Sequence, residues 1–276
     1  MPIQALAADL DGTLLPLGGD PQNRIDLTEL QKILASSGVR TLFVTGRHLA
    51  SVAGLLENME LFPPDWIIAN VGTEMYEPLD GESAREYRRV DAYTAALDAI
   101  AAPESFEPIR AQLAKRDGLV EQEPGKQGRH KLSYYCAAPE VGRLTGEIES
   151  AIDAQGLPLS VVSSVDPFNA DGLIDLLPRG VNKNHALQWW CLWRSIPAER
   201  VIYAGDSGND LHAMRSGYAT IIVGNAADEI KSVASDYHRQ TYGGLDRIYV
   251  SEAAATSGVL QGVRHFLNAV SHPAKS

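Results

Sequence analysis

Apolar and polar stretches alternate along the chain in a way that marks out its elements. Residues 3–8 form an apolar run that stops at Asp9, and Leu10-Asp11-Gly12-Thr13 follow. A short run ending at a glycine turn reads as a buried strand. Residues 14–23 are a loop rich in Gly and Pro, after which Asp26 or Thr28 caps a helix reaching about residue 37. Leu27, Leu30, Ile33 and Leu34 share one face of that helix. Strands are expected at 39–44 and 66–69, with a helix at 48–58 between them. This order predicts a parallel sheet with right-handed crossovers.

The runs 73–76 and 87–90 then flank Pro78-Leu79-Asp80-Gly81, a hairpin signal. Helices are expected at 91–101, 106–115 and 140–155, and strands at 131–137, 159–164 and 173–177. The polar loop 121–128 is expected to be exposed and mobile. Later the opening pattern returns, with helices at 182–193, 211–216, 227–234 and 257–269 and strands at 201–204 and 219–223. The reading is an α/β core built from 1–78 and 179–276, with an α+β unit inserted at 79–178. Trp189 and Trp193 share a helix face and are expected to fill core or interface.

Composition narrows the class. A chain of 276 residues, 45% hydrophobic and 21% charged, makes one large or two smaller globular domains. The net charge of −11 argues against nucleic acid or an anionic membrane as a partner. An anionic substrate would then need a local cation. Cys136 and Cys191 are far apart without metal spacing, so two buried thiols in a reducing cytoplasm are expected. Asp9 breaks the early apolar run, which is therefore neither a signal peptide nor a membrane span.

Four polar clusters stand at the carboxyl end of an expected strand or the start of a helix: Asp9 to Thr13, Thr45 to Arg47, Lys183, and Gly205 to Asp210. In a parallel sheet they meet at one edge, where open α/β sheets bind ligands. Asp9 and Asp11 are two apart and face one side of an ideal strand. Burying two carboxylates together is costly unless a cation joins them, and the hard ion Mg²⁺ suits such donors. Lys183 supplies the fixed positive charge that an anionic substrate needs.

Asp-Leu-Asp-Gly-Thr at 9–13, Val-Thr-Gly-Arg at 44–47, Lys183 and Gly-Asp-Ser-Gly-Asn-Asp at 205–210 resemble, in order, the four motifs of the haloacid-dehalogenase-like hydrolase superfamily. The insertion between the second and third resembles the subfamily with an α+β cap on a Rossmann-like core. The resemblance implies that Asp9 is a nucleophile forming an aspartyl-phosphate and Asp11 a general acid and base. It implies Mg²⁺ held by Asp9, the Asp11 carbonyl and Asp206, with Asp210 as ligand or holder and Asn209 orienting it. Thr45 and the Gly46 amide would bind phosphoryl oxygens, and Lys183 would stabilise the transition state.

A further resemblance, to sucrose-phosphate phosphatases, rests on Gly46-Arg47-His48, Asn70 to Tyr76, Lys131 to Tyr135, Asp175 to Pro178 and the stretch 257–266. It implies sucrose 6-phosphate, or a related disaccharide phosphate such as mannosylfructose phosphate, as substrate. Arg47, His48, Lys131 and Asn169 are the candidate sugar contacts. A hexose phosphate and mannosyl-phosphoglycerate are the alternative substrates, and the partner such a phosphatase implies is a glycosyltransferase. A non-catalytic partner of a glycosyltransferase is the rival of a different class. Two positions depart from the pattern: Asn184-His185-Ala186 after the lysine, where a glycine is more usual, and Gly12, where several members carry Asn or His.

Overall fold

The central sheet of the computed structural model, which describes residues 2–79, 86–166 and 169–271, holds eight strands among the described residues. In chain order these are β1 (Ala5–Ala8), β2 (Arg40–Val44), β3 (Trp66–Ala69), β4 (Glu74–Pro78), β5 (Tyr87–Arg89), and later β10 (Val201–Gly205), β11 (Ala219–Ile222) and β12 (Ile248–Val250). Their spatial order is β12-β11-β10-β1-β2-β3-β4-β5. From β12 to β3 all pairs are parallel, and β4 and β5 finish the edge antiparallel. A second, fully antiparallel sheet is formed by β6 (Val120–Glu121), β7 (Leu132–Ala137), β8 (Leu159–Val165) and β9 (Asp171–Pro178), in the order β6-β7-β9-β8.

Alternation along β1 explains why helices cover both faces of the central sheet. Ala5 and Ala7 belong to one apolar cluster, with Leu42, Val44, Tyr203, Leu187 and Trp190. Leu6 and Ala8 belong to the other, with Phe43, Ile202, Leu30, Val52 and Val259. The helices packed into the two clusters are α1 (Pro21–Ser36), α2 (Leu49–Glu57), α3 (Asp91–Asp98), α6 (Lys183–Arg194), α7 (Leu211–Met214), α8 (Asp228–Tyr242) and α9 (Ala255–Ser271). The inserted unit has a core of its own. There α4 (Glu107–Leu113) and α5 (Val141–Ala154) contribute Ile109, Leu113, Leu144 and Ile148 against Leu132, Tyr134, Ile174 and Leu176.

Several expectations change. Helix α1 starts at Pro21, because the Asp20 side chain accepts from Gln22 N–H at 2.9 Å and proline suits the first helical position. The 73–90 hairpin joins the central sheet: β5 pairs with β4, and Val90, Tyr93 and Leu97 lie in the first core cluster. The inserted unit therefore begins near residue 101, where Ala101 and Phe106 enter its core, and not at 79. The expected turn at Asp80-Gly81 lies outside the described residues. The 121–128 loop is pinned, not simply exposed: Gln127 Nε2 donates to Gln122 O at 2.8 Å and Ser133 O at 3.0 Å, and Gln122 is buried. Trp190, between the two tryptophans singled out, is the fully buried one; Trp189 packs on Tyr93 and Trp193 remains partly exposed. Both cysteines are buried and free. No helix among the described residues is long and apolar enough to cross a membrane.

Candidate active site

Parallel register brings the four clusters together. Ala8 lies opposite Phe43 on β2 and Ala204 on β10, so the residues that follow all three strands emerge at one edge. Asp9 comes next on β1, Thr45 follows β2 and Asp206 follows β10. Gly12 turns the chain back with φ +77°, and a Cβ there would stand 2.5 Å from Asp206 Oδ2, so a side chain in its place would have to displace the Asp206 carboxylate. Asn225 Nδ2 donates to Gly12 O at 2.9 Å, while Thr13 Oγ1 donates to Asp206 Oδ1 at 3.0 Å.

Lys183 opens α6 behind Asn182, whose side chain caps the helix by accepting from His185 N–H at 3.0 Å. Its ammonium is fully buried and reaches Asp9 Oδ1 at 2.9 Å, Asp210 Oδ1 at 2.8 Å and Asn209 Oδ1 at 2.9 Å. Asp210 is saturated with donors. Tyr203 OH donates to Oδ1 at 2.6 Å, and the Asp206 and Ser207 N–H groups and the Ser207 hydroxyl donate to Oδ2 at 3.0–3.2 Å. Asp210 thus fixes Lys183 and the turn that carries Asp206.

These contacts set the electrostatics. Burial pushes the Asp9 carboxyl up to about 8 against the opposing pull of Lys183, with the Asp210 charge adding to the rise. Burial likewise raises Asp206 to about 6. Burial alone would raise Asp210, but the Lys183 ammonium and its hydrogen bonds outweigh it and hold that group below the usual carboxylate range. Lys183 is raised: burial opposes the charge, and Asp210 and Asp9 more than restore it. Carboxylate oxygens of Asp9, Asp206 and Asp210 lie within 4.8 Å of one another. Two buried acids and the half-buried Asp206 against one ammonium form a cluster that fits a hard divalent cation.

The Asp11 carboxylate is turned away from this cluster. Arg47 clamps it with Nε at 2.7 Å and Nη2 at 2.6 Å, while Arg47 Nη1 donates to Ser51 Oγ at 2.9 Å. Its side chain is therefore not one of the clustered carboxylates, which leaves only its backbone carbonyl for a metal. Thr45 is fully buried and accepts from Arg47 N–H at 3.1 Å through its hydroxyl. His48 caps α2 by accepting from Ser51 N–H at its Nδ1, 3.3 Å away, so the proton of the neutral ring sits on Nε2. Burial, then the cations of Lys131 and Lys126, hold His48 below its ordinary value.

A cavity of about 470 Å³ opens above Asp9, Asp11, Lys183 and Asp206, bounded on one side by Gly46, Arg47 and His48 and on the other by the inserted unit. That volume falls in the range of about 300–1,000 Å³ common for small-molecule sites. The inserted unit lines it with Gln122, Lys126 and Lys131 beside the strands, and with Val162, Ser164, Val165, Leu173 and Asp175 on β8 and β9. Lys131 is buried with its Nζ 3.6 Å from Asp175 Oδ1, which also accepts from Ser133 Oγ at 2.5 Å. Asn169 is not there. It sits exposed in the β8–β9 turn, where its Oδ1 accepts from Asp171 N–H at 3.0 Å and its amide donates to Asp171 Oδ2 at 2.8 Å. Its polar groups are engaged with Asp171 in that turn, and it does not line the cavity. Sequence reasoning missed Tyr203, Asn225, Gln122 and Lys126; Tyr203 and Asn225 carry no motif signal, lying in an apolar strand and a distant loop.

Comparison with known proteins gives the family and the fold. The family model for sucrose-6F-phosphate phosphohydrolase matches residues 2–267. The mannosylfructose-phosphate phosphatase of Agrobacterium fabrum is 30% identical, over 96% of this chain and 97% of that one. The glucosylglycerol-phosphate synthase of Pseudomonas anguilliseptica is 30% identical over 95% of this chain, which spans only 30% of the synthase. The sucrose-phosphatase of Synechocystis, solved with sucrose and phosphate, superposes with a TM-score of 0.75 at 24% identity, covering 96% of this chain and 98% of that one, a likeness of fold. The chain belongs to the sucrose-6F-phosphate phosphohydrolase family of phosphoric monoester hydrolases.

Proposed function

We propose that the protein is a Mg²⁺-dependent phosphatase of a disaccharide phosphate, sucrose 6-phosphate or a close analogue such as mannosylfructose phosphate. One observation carries the reading: Asp9, paired with the buried Lys183 and beside Asp206, forms the floor of a cavity whose other wall, from the inserted unit, mixes the polar Gln122, Lys126, Lys131, Ser164 and Asp175 with the apolar Val162, Val165 and Leu173. The phosphoryl group belongs with the carboxylates and the sugar with the inserted sheet.

Asp9, the Asp11 carbonyl and Asp206 would hold Mg²⁺, which neutralises phosphoryl oxygens and lets an anionic ester approach three carboxylates. In the first step an Asp9 carboxylate oxygen attacks phosphorus, the bond to the sugar oxygen breaks, and Asp11 gives that oxygen its proton. In the second, Asp11 takes a proton from water, whose oxygen attacks phosphorus and releases phosphate, freeing Asp9. Lys183 stays charged throughout and offsets the negative charge on the transferring group. Arg47 holds Asp11 until substrate competes for the guanidinium. Gly46 offers its amide to the phosphoryl oxygens, and Thr45 keeps the Arg47 loop in place. His48 and Lys131 meet the sugar, and closure of the inserted unit excludes water.

Initial rates on sucrose 6-phosphate, mannosylfructose phosphate, glucosylglycerol phosphate, glucose 6-phosphate and p-nitrophenyl phosphate test this, with Mg²⁺ and with EDTA. The expected result is kcat/KM at least about 100-fold higher for one disaccharide phosphate than for glucose 6-phosphate, and none with EDTA. Equal rates on all five would overturn the disaccharide reading. Similarity to part of a glycosyl-phosphate synthase supports a source for the substrate, a glycosyltransferase acting one step earlier, with which the protein associates.

A further inference from the structure

The turn after β3 is strained and borders the cavity. Asn70, Val71 and Gly72 all have positive φ, 50°, 60° and 99°. For the β-branched Val71 that is a true outlier. Asn70 N–H donates to Arg47 O at 2.9 Å and Val71 N–H to Thr45 O at 3.1 Å. On the other flank, a Cβ on Gly72 would come within 2.3 Å of Asn182 O. The turn is therefore wedged between the Arg47 segment and the residue preceding Lys183. Strain of this kind persists only where the surroundings impose it, and it gathers at ligand sites.

The Asn70 amide has one possible orientation. Three donors converge on the Glu74 carboxylate: Arg89 Nη2 on Oε1 at 2.9 Å, and Tyr76 OH and Asn70 Nδ2 on Oε2 at 2.7 Å and 2.8 Å. A carboxylate paired with arginine only accepts, so the Asn70 NH₂ faces it and the amide oxygen faces away. That oxygen is buried without a partner, and Asn70 lines the cavity at 2% exposure. Buried acceptors left bare are rare and costly. A phosphoryl oxygen cannot satisfy this one, being an acceptor itself. A hydroxyl can.

We infer that Asn70 is a specificity residue whose Oδ1 accepts a hydrogen bond from a hydroxyl of the substrate's sugar, while Glu74, Tyr76 and Arg89 hold it in that orientation. The inference rests on the sugar-phosphate reading and sharpens it, because it separates polyol esters from esters that lack hydroxyls. Asn70→Gly removes the amide and keeps a backbone able to adopt positive φ. Glu74→Gln keeps the shape but offers Asn70 a donor, which lets the amide turn over. For each variant, kcat/KM is measured on the best sugar phosphate of the panel and on p-nitrophenyl phosphate, which carries the phosphoryl group without a hydroxyl. Asn70→Gly is expected to lose roughly 5- to 50-fold on the sugar phosphate and to stay within about twofold on the aryl ester. Glu74→Gln is expected to lose less in the same direction. Equal losses on both substrates would make the turn merely structural. No loss on either would leave water as the only partner of Oδ1. Either result overturns the inference, whereas a wild-type enzyme inactive on every sugar phosphate overturns the reading beneath it.

Discussion

Lys183 is the test of the electrostatic account. Its ammonium is the sole cation in contact with Asp9 and Asp210 among the described residues, and it is 1% exposed. Lys183→Met keeps the bulk and removes the charge, leaving buried carboxylates without their partner. Removing one member of a buried pair costs about 3–5 kcal/mol, because the other charge remains in a poorly solvated place. At about 2–4 °C per kcal/mol for a chain of this size, the melting temperature without Mg²⁺ should fall by roughly 10 °C. The four tryptophans, Trp66, Trp189, Trp190 and Trp193, all belong to the core, so their fluorescence reports core unfolding separately from the inserted unit.

A double-mutant cycle isolates the pair. Asp210→Asn places an amide among five donors and is expected to cost a similar amount. The two changes together should cost less than their sum by at least about 1 kcal/mol, since the second no longer breaks an intact pair. Urea unfolding in EDTA measures each corner. The Lys183→Met deficit should also shrink at acidic pH, where the orphaned carboxyls protonate. Strict additivity, or a Lys183→Met cost below about 1 kcal/mol, would refute the claim that these charges are coupled in a dry site.

Other consequences follow from the same cluster. Asp9 and Asp206 have folded-state values raised to about 8 and about 6. The contribution of these two groups to the stability of the metal-free protein therefore falls as pH rises from about 4 to 8, while His48, His130, His185 and His238, lowered by burial, work the other way below their ordinary value; above it the fall from Asp9 remains. Bound Mg²⁺ replaces the protons on Asp9 and Asp206, so the thermal shift on adding Mg²⁺ should be larger at pH 8 than at pH 6. Calorimetry in two buffers of different ionisation enthalpy should show proton release. Asp9→Asn should keep the fold, by circular dichroism, and lose at least about 10³-fold in kcat. Gly12→Ala puts a methyl 2.5 Å from Asp206 Oδ2 at φ +77°. It should destabilise by about 1–2 kcal/mol or more and weaken Mg²⁺ binding over tenfold, by titration.

How far the sequence discloses this molecule depends on whether a signal is local. The parallel half of the sheet is legible because each strand is an apolar run that stops at polar residues, and those stops are the site. The start of α1 is hidden because Asp20 and Pro21 lie in a stretch whose Gly and Pro content reads as loop. β6 and β12, of two and three residues, exist only through their neighbours. Membership of β5 in the central sheet is a tertiary fact. Tyr203 reads as core in an apolar strand, yet its hydroxyl reaches Asp210.

Asn70 and Asn169 show the limit most clearly, since each is an asparagine just beyond a strand. Asn169 bonds Asp171, two residues on, through both its oxygen and its amide, in an exposed turn that does not line the cavity. Asn70 bonds Glu74, four residues on and across the start of the next strand, through its amide alone. Glu74 is already fixed by Arg89, whose strand pairs with β4 only after a hairpin is made. The oxygen is left over because a remote arginine decides what Glu74 is. A local pattern assigns both asparagines to turns, and it is right about both backbones. Which of them retains an acceptor for a ligand is settled by charge pairing that no window of sequence contains.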